Sequence, residues 1–425
     1  MQGFIYEGGI RILYGAEQLP WVAEEIAKLG RRMLVIPTGS FLSGGHYETL
    51  ERALTRAGLV VFPLNAGRKP LLSKVQEGAR LCAEKQIDVV LGIGGGVSMD
   101  LAKAIAFGAR NTDVPMERFL TYEVSTDGRP MLPVVTIPTN PMSGSETNAD
   151  VQITLDESGL QVGCSVGKAV FTWLNPEYVM SLPDRVLAYG QMTSFVRLSL
   201  NYLNLTRSPL AEHYAEASMK TVLECLRRSL ADKSDVDARG TLLLNSALAL
   251  SGINDLGREG EFAPYPLQSF AQRYLGLDYP HALTGLFPYW LREIYRASED
   301  KAVFYRYFSE ILGVTTDGTD EEMLLQEALA ALKKLYQEFG IAFRYGELAA
   351  DPQDHGRLVE IIDSFGPMPC HIMPLTTERM AKMIENAIAG QLDECVCPAS
   401  PPPRGGAGLR ESRGDEAPAC ERIFP

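Results

Sequence analysis

The residues with the most explicit chemistry lie between positions 92 and 109, GIGGGVSMDLAKAIAFGA. They follow a short apolar run. Gly94, Gly95 and Gly96 remove every Cβ where the backbone turns from strand into helix, so main-chain N–H groups can approach a diphosphate at the positive end of the helix dipole. Val97 continues the turn, and Ser98 and Asp100 fall in the first helical turn, where they suit caps or polar contacts. Alone, a triple glycine reads equally well as a tight turn kept for packing. Two further segments favour a ligand. Thr38, Gly39 and Ser40 follow one strand-like run, and Thr139, Ser143, Gly144, Ser145 and Glu146 follow another. Small and hydroxyl residues at three strand ends would line one crevice of a doubly wound sheet and form a nucleotide or dinucleotide site.

The elements that must position these residues alternate. RRMLVIPTG (31–39) reads as a buried strand, 47–57 as a helix, GLVVFPL (58–64) as a strand, 71–86 as a helix and IDVVLGI (87–93) as a third strand. LPVVTIPT (132–139) fits the same sheet, and 151–166 reads as a hairpin turning around Asp156 to Gly159. This order predicts an α/β domain with a parallel sheet covered on both faces, and a ligand crevice at the carboxyl ends of its strands. Helical periodicity takes over after Pro183. The expected domains are therefore an α/β dinucleotide-binding domain over 1–182, an all-α domain over 183–391, and a disordered tail over 392–425, where Pro, Gly and charge replace large apolar residues.

Composition excludes several classes. A chain of 425 residues with 53 acidic against 40 basic side chains carries a net charge of −13 and no Lys/Arg block, which opposes binding to nucleic acid or anionic membranes. Its apolar runs are strand-length, and its start lacks the basic and apolar regions of a secretory signal, so a cytoplasmic location is expected. Seven cysteines are too scattered for a disulfide framework. The Cys395/Cys397 pair has no second Cys/His pair beside it and reads as reduced thiols in the tail.

GGGVSMDLAKAIA resembles the GGGSxxDxAKxIA turn of the iron-containing alcohol dehydrogenase family, and PTNPMSGSETNAD resembles its PTxxxxGSExN segment. NPEYVMSLP (175–183) is similar to the D-P-E…L-P that links that family's two domains, with Asn175 in place of Asp. RILYG (11–15) and PLTTERMAKMIENA (374–387) continue the order of landmarks. The resemblance implies a dehydroquinate synthase-like architecture, a nucleotide-binding α/β domain followed by an all-α domain with the active site in the cleft between them, and a homodimer. The SGSETN form and the TGS at 38–40 are closest to the NADPH-dependent butanol dehydrogenase and aldehyde reductase branch. No acidic residue stands there to repel a 2′-phosphate, so NADP(H) is expected in preference to NAD(H).

The resemblance also implies a divalent metal, held in the family by an Asp and a His four residues apart and by two later His. Here those positions are Thr193 and Arg197, and a gapless match of the later segment puts Tyr265, Ser269 and Tyr279 where the family has three His, the middle one a proton relay. A shift of register could keep His281 as one ligand, but one His cannot rebuild the site, so no metal is expected. Pro264 and Pro266 disfavour a continuous helix through Tyr265. The family's phosphate-facing lysine after the hairpin turn corresponds to Gln161. Two readings stay open. One is a metal-independent NAD(P)H-dependent reductase of a small, possibly anionic, carbonyl substrate, with Arg197 supplying positive charge and Tyr265 or Tyr279 a proton. The other is an inactive relative that binds nucleotide, a small anion or a protein partner, with Arg197 filling a vacated cavity and the tyrosines serving as packing.

Overall fold

The protein is described by a computed structural model covering residues 8–204, 206–258, 261, 263–318, 320–348, 355–365, 370 and 372–392. The Cys395/Cys397 pair and the expected disordered tail from residue 393 onward lie outside the described residues.

The chain opens with β1 (Arg11–Tyr14), α1 (Leu19–Leu29), β2 (Arg32–Pro37), α2 (Gly39–Ser43), α3 (His46–Arg56), β3 (Val60–Pro63), α4 (Leu72–Glu84), β4 (Val89–Gly94), α5 (Gly96–Gly108), α6 (Met116–Leu120) and β5 (Val134–Pro138). A hairpin of β6 (Asp150–Thr154) and β7 (Gln161–Ser165) then precedes β8 (Phe171–Leu174). Six strands form one parallel sheet in the order β1-β8-β5-β4-β2-β3, while β6 and β7 pair antiparallel as a separate ribbon. The sheet is doubly wound because its strands bury both faces. Leu34, Ile36 and Val90 face Val75, Leu101 and Ile105 of α4 and α5. Met33, Val35, Leu91 and Ile93 face Val22, Ile26, Leu50 and Leu54 of α1 and α3. The period of two along each strand divides these sets between the faces.

The direction of winding reverses at β2. The chain leaves β2 for β3 on one side and returns as β4 on the other, so the connections after β2 and β4 diverge. A crevice opens at such a switch point, at the carboxyl ends of those two strands.

Helices follow from Asp184: α7 (Asp184–Tyr202), α8 (Pro209–Ala231), α9 (Val236–Ala249), α10 (Pro264–Leu275), α11 (Tyr279–Ala297), α12 (Ala302–Glu310), α13 (Glu321–Glu338), α14 (His355–Asp363) and α15 (Thr377–Ala389). Pro264 and Pro266 start α10: its first turn has no carbonyl awaiting their missing N–H groups, so Tyr265 sits at a helix start and not mid-helix. Compactness divides the chain into one unit of residues 1–261 with 299–341, and a second of 262–298 with 342–425. The first unit therefore holds the sheet together with α7, α8, α9, α12 and α13. Within it, Ser199 of α7 bonds the Tyr307 hydroxyl of α12 at 2.8 Å, and Arg306 of α12 pairs with Glu216 of α8 at 2.5 Å. Among the described residues no helix is long and apolar enough to cross a membrane.

The sheet passes into the helices through a short 3-10 turn, Pro176–Val179, capped by the Asn175 side chain accepting from the Glu177 N–H. Arg239 of α9, almost fully buried, fixes the path from this turn into α7. Its Nη1 donates to the carbonyls of Val179, Met180 and Leu182 at 3.1–3.3 Å, and its Nη2 lies 3.7 Å from the Asp184 carboxylate. Replacing Arg239 with Met would leave three carbonyls without that donor and should lower the unfolding free energy by about 2–4 kcal/mol. Urea unfolding checks this, and an unchanged midpoint would show that the turn holds itself.

Candidate functional site

The glycine turn is built by the ends of three strands. Past β2, the Thr38 N–H donates to the Ile93 carbonyl at 3.0 Å, and past β5 the Thr139 N–H donates to the Gly94 carbonyl at 2.9 Å. The ladder thus extends one residue beyond the strands and brings Thr38, Gly94–Gly96 and Thr139 into one row. Gly94 has φ +149°, and a Cβ there would come within 2.4 Å of the Thr38 methyl and 2.7 Å of the Ser98 hydroxyl; only glycine fits. Gly95 caps α5 with ordinary φ, and a Cβ there would meet nothing nearer than Asn140 at 3.9 Å. The absence of a side chain at Gly95 is therefore not demanded by the protein's own packing. A Cβ on Gly96 would meet Ser143 at 3.0 Å. No side chain caps α5; the Ser98 N–H donates to the Gly95 carbonyl at 3.1 Å, while the N–H groups of Gly96 and Val97 precede any intrahelical acceptor. Gly39 and Ser40, exposed, start α2 beyond Thr38, whose hydroxyl lies 3.3 Å from that of Ser40.

Ser98 and Asp100 do not cap this turn. The Ser98 hydroxyl is sealed beneath Gly94 without a hydrogen-bond partner. Asp100 turns inward, accepting from the Ser145 hydroxyl at 2.5 Å and from the Gln152 N–H at 3.1 Å. Beside it lies Lys103, fully buried, whose Nζ donates to the carbonyls of Ser145, Asn148 and Asp150 and to the Asn148 side chain, with the Asp100 carboxylate at 4.0 Å. Burial pushes the Asp100 carboxyl up and the Lys103 ammonium down, and the charge of each partner opposes both shifts. Val97 is half-buried beside them.

The loop between β5 and β6 is thereby pinned to α5 from one side. From the other it is held by α7 and α9. The Gln191 amide donates to the Pro141 carbonyl at 2.6 Å, Arg197 Nη1 to the Ser143 carbonyl at 2.7 Å, and the Thr147 hydroxyl to the Ala247 carbonyl at 2.7 Å. Gly144, at φ +67°, leaves no room for a Cβ against Leu250. One short segment thus joins the glycine turn to the α7 face carrying Thr193 and Arg197.

That face runs Thr193, Arg197, Asn201, one helical turn apart. Thr193 is buried, its hydroxyl donating back to the Tyr189 carbonyl at 2.7 Å, while Arg197 is half-buried. Two carboxyls feel the Arg197 charge. Glu146 is buried, both its oxygens lack partners, and loss of hydration raises its pKa to about 7 against the pull of Lys103 and Arg197. Asp255, in a 3-10 turn (Ile253–Asp255), accepts from the Asn201 side chain at 2.6 Å. The other residues expected at the site, Tyr265 and Tyr279, are half-buried at the starts of α10 and α11, with His281 just beyond; all three belong to the second unit. Gln161, at the position of the family lysine, starts β7 half-buried. Lys103, Glu146 and Asp255 carry the electrostatics of this region, and spacing in the sequence gives none of them that role.

Glu146 gives a pH dependence of definite sign. Its folded pKa lies above its unfolded value, so the folded state holds the proton longer and stability declines as pH rises from the unfolded pKa toward about 7. Glu146→Gln, neutral at every pH, should reduce that decline and be more resistant to urea than the parent at pH 8, with the difference shrinking at pH 5. Equal urea midpoints at pH 8 would contradict this.

Comparison with known proteins extends these observations. Two family models match the chain: Iron-containing alcohol dehydrogenase over residues 10–173, and Fe-containing alcohol dehydrogenase family, C-terminal, over residues 188–363. A probable NADH-dependent butanol dehydrogenase of Bacillus subtilis is 26% identical over 352 residues, covering 82% of this chain and 89% of the relative. The NADPH-dependent aldehyde reductase of Escherichia coli is 23% identical over 372 residues, covering 86% and 94%. The crystal structure of NADH-dependent butanol dehydrogenase A from Thermotoga maritima matches with a TM-score of 0.84 at 23% identity, over 91% of this chain and 99% of that one. Matched by both models along most of its length, the chain belongs to the iron-containing alcohol dehydrogenase family of oxidoreductases.

Proposed function

We propose that this protein is an NADP(H)-dependent reductase of a small carbonyl compound that works without the family's divalent metal. The observation that carries the cofactor reading is Gly95: packing does not require it to lack a side chain, whereas a diphosphate lying against the first turn of α5 does. The backbone amides of Gly95, Gly96 and Val97 would hold that diphosphate, flanked by Thr38 and Gly39 on one side and Thr139 and Ser143 on the other. Ser98 and Asp100 would support the turn from beneath. Bound there, the nicotinamide supplies a hydride. The preference for NADP(H) is supported by the hydroxyls of Thr38 and Ser40 and by the lack of a carboxylate from 38 to 46. The relatives' names divide between NADH and NADPH and so do not decide it.

The residues at the family's metal positions do not fit a divalent cation. The Thr193 hydroxyl is committed to its own helix, and Arg197 brings a permanent positive charge to the place where a cation would sit. Among the described residues no group of three or more His, Cys, Asp or Glu could hold a metal ion. In this reading Arg197 takes over one task of the metal, drawing negative charge toward the carbonyl oxygen, and its planar fork of donors suits a substrate that also carries a carboxylate.

Gly95→Val should fold like the parent, because the added side chain has room, yet lose NADPH binding by calorimetry. Failure of the parent protein to bind either nucleotide at millimolar concentration would sink the cofactor reading. Elemental analysis should find no stoichiometric iron or zinc, and chelators should leave thermal stability unchanged; about one metal per chain would overturn metal independence. Arg197→Ala should reduce turnover of 2-oxo acids and aldehydes, followed by NADPH absorbance, by at least ~10-fold while NADPH affinity stays constant. An inactive nucleotide-binding relative would instead bind NADPH and show no turnover in either form.

A further inference from the structure

We propose that Asp255 is the acid that protonates the carbonyl oxygen during reduction; this rests on the reductase reading of the site. The argument begins with the α7 face. Arg197 and Asn201 are one turn apart on this helix; Arg197 donates to the Ser143 carbonyl of the β5–β6 loop, and Asn201 donates at 2.6 Å to Oδ1 of Asp255. The backbone that carries the carboxyl is fixed too: Asn254, buried in the middle of the 3-10 turn, ties it to α9 by donating to the Ala249 carbonyl at 2.7 Å. A donor for proton transfer needs such fixed placement within reach of the oxygen that Arg197 would polarise.

Exposure separates Asp255 from the neighbouring candidate. The two oxygens of Glu146 are sealed from solvent, so no substrate atom can reach them without rearrangement. Asp255 is exposed to solvent, and its carboxyl is met by the Asn201 side chain. Partial loss of hydration raises its pKa to about 6 against the opposing charges of Arg258 and Arg197. Arg258 follows in the same segment and is held by the carbonyls of Tyr202 and Thr206. Glu212 of α8 acts on Arg258 in turn, and α9 meets this turn through the Ala249 carbonyl. A carboxyl titrating near 6 is protonated often enough at neutral pH to act as an acid, which an ordinary surface aspartate is not.

The step balances. The carbonyl carbon accepts hydride from reduced nicotinamide as the C=O π pair moves to oxygen, and the oxygen takes the Asp255 proton. Alcohol, oxidised nicotinamide and the Asp255 carboxylate result, and solvent returns the proton. In the reverse direction the carboxylate accepts the alcohol proton. Reduction should therefore be level at low pH and fall as pH rises above about 6, whereas oxidation should rise through the same range.

The test compares the pH profile of kcat/KM for carbonyl reduction in the full-length parent, Asp255→Asn and Asn201→Ala. Asp255→Asn should lose about 10²-fold in kcat, keep its NADPH affinity, and lose the limb near pH 6. Asn201→Ala removes a donor that favours the carboxylate, so its limb should move to higher pH, whatever the change in rate. This second variant covers the case in which Asp255→Asn fails to fold. An Asp255→Asn protein with the parental rate and limb, or an Asn201→Ala limb that does not move, overturns the role of Asp255 while the reductase reading stands. A parent protein that binds NADPH but reduces no aldehyde or 2-oxo acid overturns the reading and this role together.

Discussion

The buried ammonium of Lys103 is the constraint on which the rest of the site depends. It converges on three backbone carbonyls and one side-chain amide of the segment 145–150. A charge with no access to water is tolerable only where acceptors surround it, and this one gathers them from a loop that would otherwise have unsatisfied carbonyls in the interior. The loop in turn sets the spacing between the glycine turn and α7, because Ser143 touches both: its Cβ faces Gly96 and its carbonyl receives Arg197. The glycine turn and the α7 face are thus related through one short stretch of chain that Lys103 fastens from beneath.

This gives the D-x-x-K spacing of the glycine segment a structural meaning distinct from ligand contact. Asp100 and Lys103 face away from the crevice and knit helix to loop. The glycines before them divide by role in the same way. Gly94 is forced by backbone conformation and by Thr38, whereas Gly95 is not forced by anything within the protein.

Much of the α/β architecture is legible in the sequence because its strands are buried on both faces and read as unbroken apolar runs between amphipathic helices. β2, β3, β4 and β5 and the β6–β7 hairpin fall close to the expected positions. β8 gives no such signal: four residues, FTWL, carry no period to recognise, and only their place between β1 and β5 makes them a strand. At the site, spacing points to Arg197 but cannot reveal Asp255, a lone acid in the polar stretch GINDLG that looks like any turn until Asn201 is seen across from it. For Ser98 and Asp100 spacing leaves caps and polar contacts equally open, and the structure shows polar contacts for Asp100. Helical position places a residue in the first turn, but whether it faces outward or inward depends on the loop lying against the other side.

The chain does not complete the sheet-bearing unit in one pass. It leaves at residue 261, builds α10 and α11 elsewhere, and returns at 299 to lay down α12 and α13. During synthesis, the acid Glu216 and the hydroxyl of Ser199 must wait for Arg306 and Tyr307, which leave the ribosome about a hundred residues later. Vectorial folding of the first 261 residues would yield a sheet whose helical flank still lacks its last two members, with polar groups and apolar surface uncovered together. Such a chain is exposed to premature association for as long as the excursion lasts.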